Sequence, residues 1–264
     1  MEIHSTAIIE NSVKLAEGVH VGPYCILKGN VVIGKNTILH SHVCIEGNTA
    51  IGENCEIFPF ASIGSKPQDY KFHNEITYLE IGNNNIIREY VTINPGTKHG
   101  GGLTKIGNNN MLMISSHVGH DATIGNNCTI ANNVPLGGHV IIEDYVVIGG
   151  NAAVHQFVRI GSHSMVGGMV GVKENIIPFA LVTPCTNSVY AGIRGVNIIG
   201  LKRKGFTKDN IQEITKCFEI LEKEDTIENK INALSNGHYT QMIIDFIRKS
   251  QTMDHSKGLA PFIV

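Results

Sequence analysis

The sequence predicts a mainly β fold: a solenoid of short parallel strands followed by a small C-terminal helical domain. Three observations predict it. An aliphatic residue recurs every six positions through most of the chain, glycine and asparagine crowd the places between, and the final stretch switches to helical spacing. Composition agrees. Of 264 residues, 42% are hydrophobic, 29 are glycine, 6% are aromatic and only 17% are charged. Soluble domains typically carry roughly 25% charge, so short strands and turns fit better than long charged helices.

The hexads begin at Ile3 and run through Ile9, Leu15 and Val21 to Ile63 without exception. The step lapses at Asp69 and Glu75 and returns in phase at Ile81, Ile87 and Ile93. After a second interruption it resumes one residue out of phase and continues from Ile106, Leu112 and Val118 to Val172. The residue two before each aliphatic is small, as at Ala7, Cys25, Cys55, Ala61 and Cys128. Glycine often follows the aliphatic, as at Gly22, Gly34, Gly52, Gly82, Gly107 and Gly125, with asparagine close behind. Both tolerate positive φ at a sharp corner. A period of six builds no apolar stripe on a 3.6-residue helical turn. It does build a triangular coil of three hexads, each coil pairing with the next at a rise of roughly 4.8 Å. The small residue and the aliphatic point inward, so Cys25, Cys55 and Cys128 read as packed hydrophobes.

Net charge is −2, which gives no bulk argument for nucleic acid or an anionic membrane. No apolar run approaches the ~20 residues that span a bilayer. Met1–Ser5 has neither a basic nor an apolar signal-peptide region. The six cysteines form no CxxC pair, and a reduced, cytoplasmic protein follows.

The solenoid is expected over 1–177, with loops projecting at about 65–78 and 98–105, and the helical domain over 178–264, beyond Pro178. Loops on a rigid solenoid are the usual way to build a site on one. In the tail, Thr207 is a candidate N-cap ahead of Ile211, Ile214, Phe218 and Leu221 at helical spacing. Further helices fit 227–234 and 239–247. Lys202, Arg203 and Lys204 form a basic cluster before them.

An 18-residue coil places His120, Gly138 and Gln156 in one stack, with Asp121, His139 and His155 one residue off that line. His120, His139 and His155 therefore belong to one edge, close enough for the rings to converge on one ligand, and His117 precedes them by a short segment. Two chemistries compete. Three neutral imidazoles and a water would suit zinc. Alternatively His120 acts as a general base with Asp121 fixing its tautomer, and Gly138 offers an unhindered N–H to an oxyanion. No serine or cysteine sits in a nucleophile motif, so direct attack of an alcohol on a thioester fits better than a covalent acyl-enzyme.

The hexads resemble the hexapeptide-repeat family, whose members form left-handed parallel β-helices and usually trimerise. That handedness comes from the resemblance, since the general crossover preference is right-handed. The match narrows at Gln68-Asp69-Tyr70-Lys71, Gly100–Lys105, His117–Asp121, Gly137–Val140, Ala153–Phe157, Gly195–Asn197 and Gly200–Phe206. With these segments the whole chain resembles the UDP-N-acetylglucosamine O-acyltransferase family of lipid A biosynthesis. The resemblance implies transfer of a 3-hydroxyacyl chain from acyl carrier protein to the sugar 3-hydroxyl, the first step of that pathway, with no cofactor or metal.

It further implies His120 as base, Asp121 as its partner and Gly138 as oxyanion donor. Gln68, Asp69, Lys71, His117, His139, His155 and Gln156 would line the sugar and acyl site. Gly168 would stand where bulkier residues in the family limit acyl length, and glycine there implies a relatively long chain. Asn197, Arg203 and Lys204 would hold the uridine and diphosphate, in sites between the subunits of a homotrimer. The chain departs from the family at Lys204, where a second Arg is common, which loses a bidentate fork. It departs again at Ile199, where Glu is common. The rivals are a zinc enzyme of the γ-carbonic-anhydrase type, a non-catalytic scaffold, and the related N-acyltransferase of the same pathway. That last enzyme carries a domain before its repeats, whereas the hexads here start at Ile3.

Overall fold

The computed structural model describes residues 2–255 and 257–263. Strands of mostly two residues, beginning Glu2–Ile3, Ile8–Ile9 and Lys14–Leu15, alternate among three sheets of eleven, nine and eight strands. These sheets form the first, second and third faces of a triangular prism. Among the described residues the strand pairs are parallel until the last, and through most of the stack partners lie eighteen residues apart, as in Glu2↔His20, Ile26↔Cys44 and Lys14↔Val32. The inward aliphatics stack into the core, and Val21, Ile33, Leu112, Ile130 and Ile160 are completely buried. Ile3, at the end of the stack, remains 46% exposed.

The small inward place is also as expected. Cys25, Cys55 and Cys128 are buried free thiols, and burial pushes the Cys128 thiol up to about 12. Some of these slots are polar. Asn85 and Asn110 are both buried, and Asn110 Nδ2 donates to the Gly125 carbonyl at 2.9 Å. Their amides recover inside the prism the hydrogen bonds that burial would otherwise cost.

The corner glycines work differently from the expectation. Gly22, Gly34, Gly52, Gly82, Gly107 and Gly125 are absent from the left-handed region. The left-handed turn is made two residues later, by Asn36, Asn54, Asn84, Asn109 and Asn127, with φ of 54–58°. Asparagine tolerates that conformation. The glycines are needed for proximity. A Cβ on Gly107 would lie 2.5 Å from the Gly125 carbonyl oxygen, and one on Gly34 equally close to that of Gly52.

The first loop lengthens the pairing interval to 30, as in Ile57↔Ile87, and the second to 25, as in Ile87↔Leu112. Pairing resumes at Tyr78 and at Leu103, so the second excursion is shorter than 98–105. Leu79 and Thr104 fill the inward place two before Ile81 and Ile106 and draw both strands back.

Past residue 178 the chain first adds to the solenoid. Ala180–Pro184 extends the first face in parallel, and Ala191–Val196 pairs back on it antiparallel. Among the described residues four α-helices follow: α1 (Ile198–Arg203), α2 (Lys208–Leu221), α3 (Ile227–Asn232) and α4 (His238–Thr252). The short α1 carries no apolar periodicity that sequence reading could detect. Thr207 caps α2 in a capping box closed by Asn210. Ile214, Phe218 and Leu221 of α2 and Ile243, Phe246 and Ile247 of α4 form the apolar seam. The buried Arg159 locks this domain to the coil. It pairs with Glu143 and lies over the Phe246 ring at 4.4 Å. Among the described residues no helix is long and apolar enough to cross a membrane.

If coil-on-coil proximity demands the corner glycines, Gly107→Ala lowers the unfolding free energy by about 1–3 kcal/mol. Gly150→Ala is nearly neutral, because its Cβ would meet only the Asn132 carbonyl oxygen at 3.5 Å. Denaturant unfolding of the two variants compares them directly.

Candidate active site at one corner

The corner joining the second face to the third carries the histidines. It repeats as Gly119-His120-Asp121, Gly137-Gly138-His139 and His155-Gln156-Phe157 on three successive coils. Asp121, His139 and Phe157 occupy the left-handed third position, with φ of 60°, 60° and 65°. Many other corners fill it with asparagine. Here it holds larger side chains, and it turns them across the edge.

The edge therefore has two sides. On the second face, His117, His120, Gly138, His155, Gln156 and Gln68 line a cavity of about 520 Å³. On the third face, Asp69, Lys71, Asp121 and His139 line another of about 460 Å³, with Phe157, loop residues Thr97 and His99, and His255. The three rings expected to converge do share the edge, but His139 faces away from His155. His139 instead meets His120 edge to face at 5.1 Å and stacks on Phe157 at 4.5 Å. A cavity of about 600 Å³ among α2, α3, α4 and the C-terminal segment holds none of these groups.

The closest chemistry is the His120–Asp121 pair. His120 Nδ1 lies 2.8 Å from Asp121 Oδ2, with the carboxylate side chain fully buried and the imidazole 17% exposed. Burial by itself would raise the Asp121 carboxyl. Hydrogen bonds from His120 and Thr97 outweigh it and hold the group below its usual value. An ionised carboxylate only accepts, so Nδ1 carries the proton and Nε2 presents its lone pair outward. Gly138 lies beside that nitrogen. A Cβ there would sit 2.7 Å from Nε2 and 2.6 Å from Cε1. Among the described residues the Gly138 N–H donates to no protein acceptor, so it is available to a developing negative charge.

The neighbours keep the surroundings neutral. Burial lowers the His117 pKa, with nearby His120 contributing, and His117 Nδ1 lies 2.7 Å from Thr92 Oγ1. Burial also lowers that of His139, against the pull of Asp121. Among the described residues, the group close enough to share a metal ion is His120, Asp121 and His139. It is two imidazoles and a carboxylate that already accepts from Thr97, not the three imidazoles expected from the spacing.

The remaining expected residues lie elsewhere on the chain. Asn197 caps α1 and donates to the His163 carbonyl at 2.9 Å, and Lys204 Nζ sits 5.0 Å from the Tyr145 ring centroid. Tyr145 and His163 stack at the corner between the third and first faces, and exposed Arg203 ends α1 beside them. Gly168 is exposed at the third corner, against Gly150. Within one chain these groups do not meet His120. Sequence reading missed Thr97, whose loop leaves the repeat and so has no register to read. It missed Phe157 and His255 as well. Phe157 lies eighteen residues after His139, in the stack of Asp121 and His139, and was within reach of the 18-residue rule. His255 is far along the chain and was not.

Comparison with known proteins follows this geometry. Residues 175–259 match the family model described as UDP-N-acetylglucosamine O-acyltransferase, domain 2. Residues 12–47 and 103–138 match the bacterial transferase hexapeptide model of six repeats. The UDP-N-acetylglucosamine acyltransferase of Francisella novicida is 37% identical over 98% of this chain and 94% of its own, with a TM-score of 0.92. LpxA from Acinetobacter baumannii is 39% identical over 98% and 100% of the two chains, with a TM-score of 0.87. The Arabidopsis UDP-N-acetylglucosamine acyltransferase is 30% identical over 98% and 99%, with a TM-score of 0.86. The solenoid is accordingly a left-handed parallel β-helix of hexapeptide repeats, followed by a C-terminal helical part.

The half-buried histidines set the acid side of stability. With folded pKa values below 6.5 for His117, His139 and His163, the unfolded chain takes protons first as pH falls. Stability is full above about pH 6.5 and declines below it, and Asp121 adds loss of the same sign only at much lower pH. The thermal midpoint is expected to fall between pH 7 and pH 5. A flat profile would contradict neutral half-buried imidazoles.

Proposed function

The chain belongs to the UDP-N-acetylglucosamine O-acyltransferase family, and from that membership and the His120–Asp121 pair we propose how it works. The reaction is transfer of a 3-hydroxyacyl group from acyl carrier protein to the 3-hydroxyl of UDP-N-acetylglucosamine, opening lipid A biosynthesis. The protein acts as a cytoplasmic homotrimer with no cofactor. The observation that carries the mechanism is one imidazole with Nδ1 bonded to a buried carboxylate and Nε2 open above a glycine N–H.

The sugar hydroxyl gives its proton to His120 Nε2 as its oxygen attacks the thioester carbonyl carbon. Asp121 stabilises the imidazolium that results. The oxyanion of the tetrahedral intermediate accepts from the Gly138 N–H. Collapse breaks the carbon–sulfur bond, and the departing thiolate takes the proton back from His120, leaving ester and free thiol. Neutral neighbours favour this cycle, because a cationic His117 or His139 would oppose charging His120.

Residues on both sides of the edge line the site for sugar and acyl groups. Asp69 and Lys71 offer polar groups for the sugar on the third face. On the second face, His117, His155, Gln156 and Gln68 line the cavity beside His120 for the acyl and sugar groups. Asn197, Arg203 and Lys204 project from a different corner, so a site that uses them together with His120 takes them from a neighbouring subunit. This supports placing the sites between subunits. Gly168, exposed at a corner of the second face, is assigned to the acyl-length position, where glycine leaves room for a relatively long chain.

His120→Ala is expected to abolish transfer from 3-hydroxyacyl carrier protein to UDP-N-acetylglucosamine, read by mass spectrometry of the products, while the oligomer persists. Near-normal turnover would sink the base assignment. Gly138→Ala is expected to cost on the order of a hundredfold or more in kcat, because it both displaces the imidazole and crowds the oxyanion donor.

A further inference from the structure

We infer that Thr97, in the loop that interrupts the repeat a second time, is a positioning residue for the transfer: it grips the Asp121 carboxylate and fixes which oxygen His120 receives. The inference rests on reading His120 as the general base.

The grip has two parts. The Thr97 backbone N–H donates to Asp121 Oδ1 at 2.8 Å, and the Thr97 hydroxyl donates to Oδ2 at 2.7 Å. Thr97 itself is 2% exposed. It caps the turn Lys98–Gly100, and its hydroxyl oxygen accepts from the Gly100 N–H at 3.2 Å. That bond leaves the hydroxyl proton for the carboxylate. Gly100 closes the arrangement. A Cβ on it would lie 2.0 Å from Asp121 Cγ, so the loop backbone is seated directly on the carboxylate. On the other side the Asp121 N–H donates to Thr104 Oγ1 at 2.8 Å.

Such a carboxylate cannot rotate. A free one would alternate its oxygens and let the imidazole ring swing, which misplaces Nε2 relative to the attacking hydroxyl. The hydroxyl also shares Oδ2 with His120 Nδ1, and this sharing moderates how strongly Asp121 favours the charged imidazole. Removing the hydroxyl therefore has two effects that a loss of packing would not combine. The chemical step slows, and the base becomes harder to deprotonate.

The test compares Thr97→Val, which keeps the shape and the N–H but loses the hydroxyl, with Thr97→Ser, which restores it. His120→Ala is measured alongside. Thr97→Val is expected to lower kcat by about ten- to a hundredfold with KM for UDP-N-acetylglucosamine unchanged. The acid limb of kcat/KM is expected to move up by roughly half a pH unit. Thr97→Ser returns both to within about threefold and a tenth or two of a unit. The other titratable groups around the carboxylate are Asp69 and Lys71, His99, His139, and Asp254 and His255, and all remain in these variants.

Wild-type kcat and pH limb in Thr97→Val, with His120→Ala inactive, overturn this inference and leave the base assignment standing. A kcat loss that serine does not rescue, or that leaves the limb unmoved, marks Thr97 as merely structural and overturns it too. An active His120→Ala overturns the base assignment itself, and with it the basis of this inference.

Discussion

Everything in this molecule depends on coils that stack in register, each strand bonding to the one eighteen residues on. Two-residue strands hold nothing alone. Their N–H and C=O groups are satisfied by the coils above and below, and their aliphatic side chains are buried only because another coil covers them. Such stacking has two requirements at each corner. The first residue after the aliphatic must often lack a Cβ, so that backbones approach, and a later residue must turn left-handed. Glycine meets the first and asparagine the second, and the composition follows from that division of labour.

The histidine corner is an ordinary corner with its left-handed position put to use. Where many corners carry asparagine, this one carries Asp121, His139 and Phe157. The turn sends these side chains to the third face while His120 and Gly138 look to the second. An imidazole and its carboxylate partner therefore come from adjacent residues and stand back to back across an edge. Rigidity comes from the stack, since Asp121 and His139 are tied to the coils around them through backbone bonds. The loops then supply what a repeat cannot: a non-repeating backbone that packs onto one particular carboxylate.

Much of this was legible in the chain. Period six, the inward cysteines, the interruptions and the Thr207 cap are local patterns, and local patterns survive translation into structure. The common edge of His120, His139 and His155 followed from counting eighteen. Other features were not legible. The inward Asn85 and Asn110 look like corner asparagines, because the pattern does not state which of three neighbouring residues turns left-handed. The strands Ala180–Pro184 and Ala191–Val196 sit beyond the hexads and take their place from pairing with the first face.

By itself the sequence determined a triangular solenoid, its inward residues, its two excursions and the edge on which the histidines gather, because spacing along a repeat converts directly into position. Only the tertiary structure decided which side of that edge each ring faces, that His139 turns from His155, and that Thr97 rather than a coil residue holds Asp121. The physical reason is that direction at a corner depends on the sign of φ and contact with a loop depends on where the chain returns, and neither quantity is written in the period.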